Sequence, residues 1–257
     1  MASPIRVLHI VNDMDCGGGI ETWLMHLLRR MDIKDVTFDF LVETGRPSRF
    51  VSEIQQRGGR VIACGRPKEV WSYAKRFAGV LRELGPFHVV HSHVHILSGL
   101  TLWVAGQWGV PQRLAHGHTD RRVVDHTVNP LKRWSRAALR MSLRSCMTRG
   151  FAVSDGAALD LFGANYRADS RISVLPCAID YSKFASTESR QAVRDELGIP
   201  TDAHVIGHVG RFESSKNHAH LIDAFSVAAK MDNKLHLLCV GEGSARSAMS
   251  GRVSNLN

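Results

Sequence analysis

Short apolar runs alternate along this chain with longer segments in which apolar residues recur at helical spacing. The strand-length runs are 6–11, 37–42, 60–64, 88–93, 112–117, 150–154 and 171–176. Amphipathic stretches such as 20–31 and 70–85 lie between most of them. Strands and helices that alternate in this way predict right-handed crossovers and a parallel sheet covered on both faces. Such sheets bind ligands beyond the carboxyl ends of their strands, so we expect the functional residues in the loops that follow the strands.

The same pattern divides the chain into two parts. Residues 1–180 contain the seven strand-like runs, and residues 181–257 form a second unit. That unit is predicted to contain a helix within 186–200, a strand at 204–210, a helix at 218–230 and a strand at 234–243. Two strands leave much apolar surface uncovered, so we expect the second domain to be cut short. The predicted fold class is α/β, with one full parallel-sheet domain and one incomplete domain.

Composition and charge narrow the class of protein. The chain is 44% hydrophobic and 22% charged, as soluble globular proteins are. Its net charge of +9 favours an anionic partner: a phosphorylated small molecule, a nucleic acid or an acidic membrane surface. Five scattered cysteines without a C-x-x-C pair argue against a disulfide framework and a zinc site. The uncharged stretch 94–112 contains glycines and a proline, which favours a buried helix with flanking loops over a membrane span.

Three glycines, Gly17, Gly18 and Gly19, follow the first strand and open a helix. Glycine lets the backbone approach a ligand closely, and the free N–H groups of a helix start favour an anion. The G-x-G-x-x-G spacing is absent, so a nicotinamide cofactor is not supported. The alternative is a flexible turn between strand and helix.

Two cations, Arg211 and Lys216, lie where the strand of 204–210 leads into a helix. Arginine presents a planar fork that grips phosphate oxygens at two points, and lysine adds a compact charge. A helix that begins near Asn217 contributes its N-terminal N–H groups. Together these groups can neutralise a diphosphate without a metal. The alternative is a pair of solvated surface cations.

Histidines recur at the end of the fourth predicted strand. His91, His93 and His95 share one face if the strand continues that far, and such spacing can bind a metal. No carboxylate or thiol lies between Glu83 and Asp120. We therefore favour loop or packed histidines and predict no metal site.

The next strand is followed by "AHGHTDRR", which contains His116 and His118. Imidazole groups in this position suit contact with a phosphate or with a sugar hydroxyl. Ordinary loop polarity is the alternative interpretation.

A basic stripe is predicted on a later helix, where Lys132, Arg136, Arg140 and Arg144 recur every fourth residue. A basic amphipathic helix can rest on anionic lipid, and it can equally be a solvated face. No aromatic-interleaved basic strand or recognition motif supports nucleic acid as a partner.

Five segments together resemble one family: "GGGIET", "FHVVHSHVH", "VLPCAIDYSKF", "VGRFESSKNHAHLIDAF" and "LLCVGEG". They are similar to retaining glycosyltransferases of family 4, and the resemblance covers nearly the whole chain. It implies the GT-B fold, in which two Rossmann-like domains face each other across a cleft. It also implies transfer of a sugar from a UDP- or GDP-linked donor with the anomeric configuration kept and no metal required. "GGGIET" and "AHGHT" are similar to enzymes of capsule and exopolysaccharide assembly.

The resemblance implies the same role for Arg211 and Lys216 that their charges suggest. Both would bind the donor diphosphate. They would also stabilise the negative charge that builds on the leaving group as the glycosidic bond breaks.

The resemblance assigns further positions to the site. Gly18 and Gly19 would lie where the donor phosphate and the acceptor meet, on the opposite side of the cleft. His118 matches a histidine near the reacting sugar. Glu242 and Gly243 match a loop at the cleft edge.

Three departures from the family pattern stand out. His88 occupies a position where relatives often have Asp, and Cys177-Ala178 replaces the usual Asn-Gly between the domains. The acidic motif of two glutamates with seven intervening residues is missing from its expected place late in the second domain. Glu188 and Glu196 have that spacing, but they precede the Arg211 strand and lack a glycine-rich lead. An exposed helix face explains them more simply.

We therefore expect a glycosyltransferase that acts on a glycan or lipid-linked acceptor, with little or no activity in the 257-residue chain itself. The expected location is the cytoplasm, with peripheral attachment at the inner face of the cytoplasmic membrane. The alternative is a non-catalytic module of the same fold that binds an acceptor, a membrane surface or a partner enzyme.

Overall fold

The computed structural model describes residues 3–14, 18–44, 48–65, 70–122, 130–184 and 189–255, with side chains except at 130–133, 135, 136 and 183. The chain forms two compact units, Met1–Asp180 (unit 1) and Tyr181–Asn257 (unit 2). The residues just before the boundary, 175–180, have no regular secondary structure.

Within its described residues, unit 1 contains seven strands: β1 (Ile5–Val11), β2 (Val36–Val42), β3 (Val61–Ala63), β4 (Val89–Ser92), β5 (Gln112–Gly117), β6 (Arg149–Ala152) and β7 (Ile172–Val174). They form one parallel sheet in the order β3-β2-β1-β4-β5-β6-β7. The predicted parallel sheet is thus confirmed. Because β1 lies between β2 and β4, the chain builds first toward one edge and then toward the other. The topological switch point therefore lies between β1 and β4, and such sheets bind ligands in the crevice outside the carboxyl ends of these two strands.

Helices cover both faces of this sheet. Successive strand residues point to opposite faces, so Leu8 and Ile10 join one apolar cluster whereas Val7 and Val11 join another. The helices of unit 1 are α1 (Gly19–Arg30), α2 (Val51–Gln56), α3 (Val70–Leu84), α4 (Ser98–Gln107), α5 (Pro130–Cys146) and α6 (Asp155–Phe162). The first cluster packs under α3 and α4, and the second under α1 and α2.

The uncharged stretch 94–112 contains α4, which buries Leu102 and Ala105 and leaves Trp103 partly exposed. Its second residue, Gly99, lies against α5. A Cβ at this position would come within 2.9 Å of the Leu139 carbonyl oxygen, so glycine is what permits the close approach of the two helices. Among the described residues, no helix has both the length and the apolar character needed to cross a bilayer.

Unit 2 contains two parallel strands, β8 (His204–Val209) and β9 (Leu235–Val240), with helices α7 (Arg190–Leu197), α8 (His218–Ala229) and α9 (Arg246–Ser254). The Ser189 hydroxyl caps the start of α7, and Gly198 ends the helix with a φ of 65°. The buried Arg194 guanidinium donates hydrogen bonds to the carbonyls of Pro200 and Ala203. These bonds tie α7 to the segment that enters β8.

The apolar residues of β8 are exposed. Val205, Ile206 and Val209 are 36%, 44% and 83% exposed. Among the residues that the structure describes, β8 pairs with β9 alone. A strand with a single neighbour keeps much of its surface open, and this explains the exposure.

We expect Gly99→Ala to destabilise unit 1, because the new methyl group would meet the α5 backbone at 2.9 Å. Overpacking of this kind costs about 1–3 kcal/mol. Gly79→Ala, in α3, is the matched control, since a Cβ there meets nothing within 4 Å. This change should stabilise the helix by roughly 0.5–1 kcal/mol. Urea unfolding followed by circular dichroism measures both, and equal effects would contradict the proposed contact.

Candidate functional site

Five histidines from neighbouring strands meet near the carboxyl ends of the unit 1 sheet. His9 on β1 pairs in register with His91 on β4. His93 follows β4, His116 lies on β5, and His118 follows β5. Their ring centroids lie 4.2–5.5 Å apart between neighbouring members. We call these five residues the histidine cluster.

Two hydrogen bonds link three of these rings in a row. His9 Nδ1 lies 3.1 Å from His93 Nε2, and His93 Nδ1 lies 2.8 Å from His118 Nε2. The Trp23 ring meets His116 and His118 edge-on at 5.2 and 5.8 Å. The half-buried His118 is therefore held by a hydrogen bond and by aromatic packing.

The histidine cluster is electrically neutral near pH 7. Burial lowers the pKa of His9 to about 3, of His116 to about 2 and of His118 to about 4. Burial, and then repulsion by neighbouring histidines, also holds the pKa values of His91 and His93 well below the ordinary value. Removal from water disfavours the charged form, which is why the rings stay unprotonated.

His95 and His88, the other histidines that the sequence analysis singled out near β4, lie outside the cluster. The strand does not continue to His95, because β4 ends at Ser92. His95 has a φ of 53°, and its Nε2 lies 3.0 Å from the buried Asp160 carboxylate. His88 lies at the amino end of β4, where its Nδ1 accepts a hydrogen bond from the Arg6 backbone N–H at 3.0 Å. The spacing of 91, 93 and 95 therefore does not produce a shared face.

The glycine segment is described from Gly18 onward, and Gly17 lies outside the described residues. Gly18 precedes α1 with extended backbone, and no side chain caps the helix. A Cβ on Gly18 would collide with the Glu21 carboxylate, whereas a Cβ on Gly19 would meet nothing within 4 Å. The start of α1 therefore has open space beside Gly19, close to a carboxylate.

The basic stripe is partly engaged within unit 1. Arg140 donates from Nε to the Asp160 carbonyl at 3.0 Å, and Arg144 Nη2 lies 3.1 Å from the Asp169 carboxylate. The Lys132 and Arg136 side chains lie outside the described set. At least two members of the stripe thus hold α5 to neighbouring segments.

In unit 2, Arg211 and Lys216 lie beyond the carboxyl end of β8, and both side chains are exposed. Arg211 Nη1 lies 3.1 Å from a Glu213 oxygen. The Lys216 stem passes 3.7 Å from the point that a Gly210 Cβ would occupy. The strand end of β8 therefore presents two exposed cations, and the Lys216 stem lies beside Gly210.

Glu242 and Gly243, which follow β9, contact the Arg211 segment. The Glu242 carbonyl accepts the Phe212 N–H at 2.9 Å, and the Glu242 carboxylate lies 2.8 Å from Arg246. Gly243 has a φ of 153°, and a Cβ there would collide with the Phe212 carbonyl oxygen. Only glycine allows this approach without strain. Of the residues predicted for the site, Arg211, Lys216, Glu242 and Gly243 therefore lie together in unit 2.

Two buried histidines, His9 in unit 1 and His218 in unit 2, were not predicted from the sequence. His9 interrupts an apolar strand, and a polar residue in such a run was the available signal. His218 begins α8, where it is buried and stacks on Phe212 at 4.1 Å. Nothing in the local pattern marks His218 as buried.

The two glutamates with seven intervening residues are Glu188 and Glu196. Glu196 lies exposed on α7, and Glu188 lies outside the described residues.

The architecture has close counterparts among solved structures. Anabaena Alr3699/HepE in complex with UDP superposes with a TM-score of 0.73 at 15% identity, covering 98% of this chain and 65% of that chain. WaaG, a glycosyltransferase involved in lipopolysaccharide biosynthesis, superposes with a TM-score of 0.66 at 15% identity, covering 96% and 67%. These likenesses show the GT-B fold, the α/β architecture that the sequence predicts.

Sequence comparison gives the family. The model described as "Glycosyl transferase 4-like domain" matches residues 18–178, and the model described as "Glycosyl transferases group 1" matches residues 189–257. The first match covers more than half of the chain, and the chain therefore belongs to the glycosyl transferase 4-like family.

Individual relatives agree with this assignment. EpsF of Bacillus subtilis strain 168, named as a glycosyltransferase, is 31% identical over 249 residues, which is 94% of this chain and 63% of EpsF. A D-inositol 3-phosphate glycosyltransferase of Stackebrandtia nassauensis is 29% identical over 180 residues, 65% of this chain and 39% of the relative. The chain thus spans less than two thirds of the length of these two relatives.

We expect the free energy of unfolding to fall steeply between pH 6.5 and about 4.5. The unfolded histidines protonate near pH 6.5, whereas folded His9, His116 and His118 stay neutral down to about pH 4, the pKa of His118. The stability is therefore fully present above pH 6.5 and is lost as the pH falls below it. The slope below pH 6 should exceed that of one proton, about 1.4 kcal/mol per pH unit.

Urea unfolding at a series of pH values measures this slope. His118→Asn, which removes one member of the cluster, is the comparison and should reduce the slope. A slope below one proton for the unmodified chain would contradict a neutral buried cluster.

Proposed function

We propose that this protein is a retaining glycosyltransferase of polysaccharide biosynthesis. It would transfer a sugar from a UDP- or GDP-linked donor to a glycan or lipid-linked acceptor. The observation that carries the proposal is the exposed pair Arg211 and Lys216 beside Gly210, at the carboxyl end of β8. Ligands of parallel α/β sheets bind at such strand ends. HepE, which has the same fold, was solved with UDP and glucose.

The two cations would act on the diphosphate of the donor. The Arg211 fork can donate two parallel hydrogen bonds to phosphate oxygens, and Lys216 adds a point charge. When the bond from the anomeric carbon to the diphosphate breaks, its electron pair goes to the diphosphate oxygen. Positive charges already in place stabilise that developing charge, so no metal is required at the diphosphate.

The remaining predicted residues have supporting roles in this proposal. His118 is neutral and its ring is fixed by His93, so one ring nitrogen remains available to a sugar hydroxyl. The open start of α1 at Gly19 leaves room for donor or acceptor groups near free N–H donors. The backbone of Glu242 and Gly243 lies against the segment that carries Arg211.

We expect Arg211→Ala to weaken binding of UDP or GDP to the chain at least tenfold, because a charged hydrogen bond contributes about 1.5–3 kcal/mol. Lys216→Ala should weaken binding in the same direction. Arg211→Lys should restore only part of the affinity, since lysine keeps the charge and loses the fork. Isothermal titration calorimetry measures these affinities at fixed salt.

The matched control is Arg190→Ala, which removes an exposed arginine of α7 in the same unit. Binding of the nucleosides uridine and guanosine, which lack phosphates, should not respond to Arg211→Ala. Affinity for UDP and GDP that is indifferent to both Arg211 and Lys216 would contradict a diphosphate site at this position.

A second function, contact with an anionic membrane surface from the cytoplasmic side, is supported by one observation on α5. Trp134 and Met141 are 76% and 73% exposed on this basic helix. An exposed aromatic side chain on a basic helix suits the lipid interface. Arg140 and Arg144 already pair with carboxylates of unit 1, so they would contribute less to lipid binding than their spacing suggests.

We expect Trp134→Ala to reduce flotation of the chain with vesicles that contain acidic lipid. Trp71→Ala is the control, because Trp71 is equally exposed, at 77%, on α3. Absence of flotation, or equal loss in both variants, would exclude α5 as a membrane contact.

A further inference from the structure

The histidine cluster contains more buried ring nitrogens than it satisfies. His9 Nε2, His91 Nε2 and both ring nitrogens of His116 have no hydrogen-bond partner among the groups that the structure describes. A buried polar atom left without a partner destabilises the folded chain. Such atoms are rare in folded proteins, and a bound ion is one way in which they are satisfied. A neutral imidazole has one nitrogen with a free electron pair, so the unpartnered His116 ring leaves such a pair for a bound cation.

We propose that His93, His116 and His118 form a binding site for a divalent transition-metal ion of the zinc, cobalt and nickel group. Each ring offers one nitrogen, and the three nitrogens lie within 4.8 Å of one another. Neutral imidazole is the ligating form of histidine and suits these metals. The site lies in unit 1, and the proposed diphosphate site in unit 2 remains metal-free.

The His93 and His118 nitrogens require only a small adjustment to bind one ion. Two nitrogens bound to a tetrahedral zinc ion at 2.0–2.1 Å are separated by about 3.3 Å. His93 Nδ1 and His118 Nε2 are 2.8 Å apart, so they separate by about 0.5 Å when the ion replaces the proton between them. His116 lies 4.2 Å from His118 between ring centroids and has both nitrogens available.

The surroundings have the features of a metal site. His93 uses its second nitrogen, Nε2, to contact His9 Nδ1 at 3.1 Å. Metal-bound histidines usually make such an outer hydrogen bond, which orients the ring. His118 is the half-buried member, so the ion can enter from its side and keep a fourth position open to water or substrate. A second set, His9, His91 and His93, satisfies the same distance limit, but it lacks this half-exposed ligand at its entrance.

Titration of the chelator-treated chain with Co²⁺ tests the proposal. We expect one ion per chain, visible absorption bands typical of low coordination number, and displacement of cobalt by Zn²⁺. Trp23 contacts all three ligand rings, so Co²⁺ should quench its fluorescence. Trp23→Phe should remove the quenching and leave the absorption bands in place.

Variants separate this site from surface histidines. His116→Gln should weaken Co²⁺ binding at least tenfold, and His9→Gln should weaken it about 10- to 100-fold through the outer hydrogen bond. His220→Gln, which removes an exposed histidine of unit 2, should have no effect. Circular dichroism checks that each variant is folded, and His118→Asn at the half-buried position replaces His116→Gln if the latter unfolds.

Either of two results would overturn the proposal. Failure to bind Co²⁺ and Zn²⁺ saturably at one ion per chain, or a Co²⁺ affinity in folded His116→Gln equal to that of the unmodified chain, would exclude the site. No nucleotide enters the experiment, so its result is independent of the proposed transferase function.

Discussion

The parallel pairing of β1 with β4 and of β4 with β5 is the interaction on which the site of unit 1 depends. Backbone hydrogen bonds in these ladders place His9 beside His91 and bring His93 and His118 to the same edge of the sheet. A shift of one residue in β1 would turn His9 onto the face covered by α3 and α4, and would turn Leu8 away from it. The apolar clusters on both faces therefore set the register, and the register assembles the histidines.

Burial and charge are arranged differently in the two units. Imidazole can lose its proton, so the histidine cluster stays neutral and tolerates removal from water. Arginine cannot lose its proton in this way, and Arg211 remains exposed with Glu213 as its neighbour. Arg194 is the contrasting case, because its buried guanidinium is satisfied by backbone carbonyls. Groups that can bind a neutral ligand or a metal thus lie inside unit 1, and groups suited to an anion lie on the surface of unit 2.

Glycine makes the strand-end geometry of unit 2 possible. The loop after β9 approaches the loop after β8 so closely that side chains at Gly241 and Gly243 would collide with the Gly210 and Phe212 backbone. This close approach holds the Arg211 segment through main-chain hydrogen bonds. The position of the cation is therefore determined by the backbone, although its exposed side chain can still meet a ligand.

The sequence alone determined the element types, their order and the parallel sheet, because these follow from local periodicity and from the length of the connections. It also predicted that Arg211 and Lys216 follow β8, and it indicated the loops after β1, β5 and β9 as candidate site segments. Contacts between distant residues were beyond it, because they depend on strand register and helix packing. His9 and His93, for example, are 84 positions apart. Helical spacing suggested a free stripe that includes Arg140, but tertiary packing supplies Asp160 as its partner.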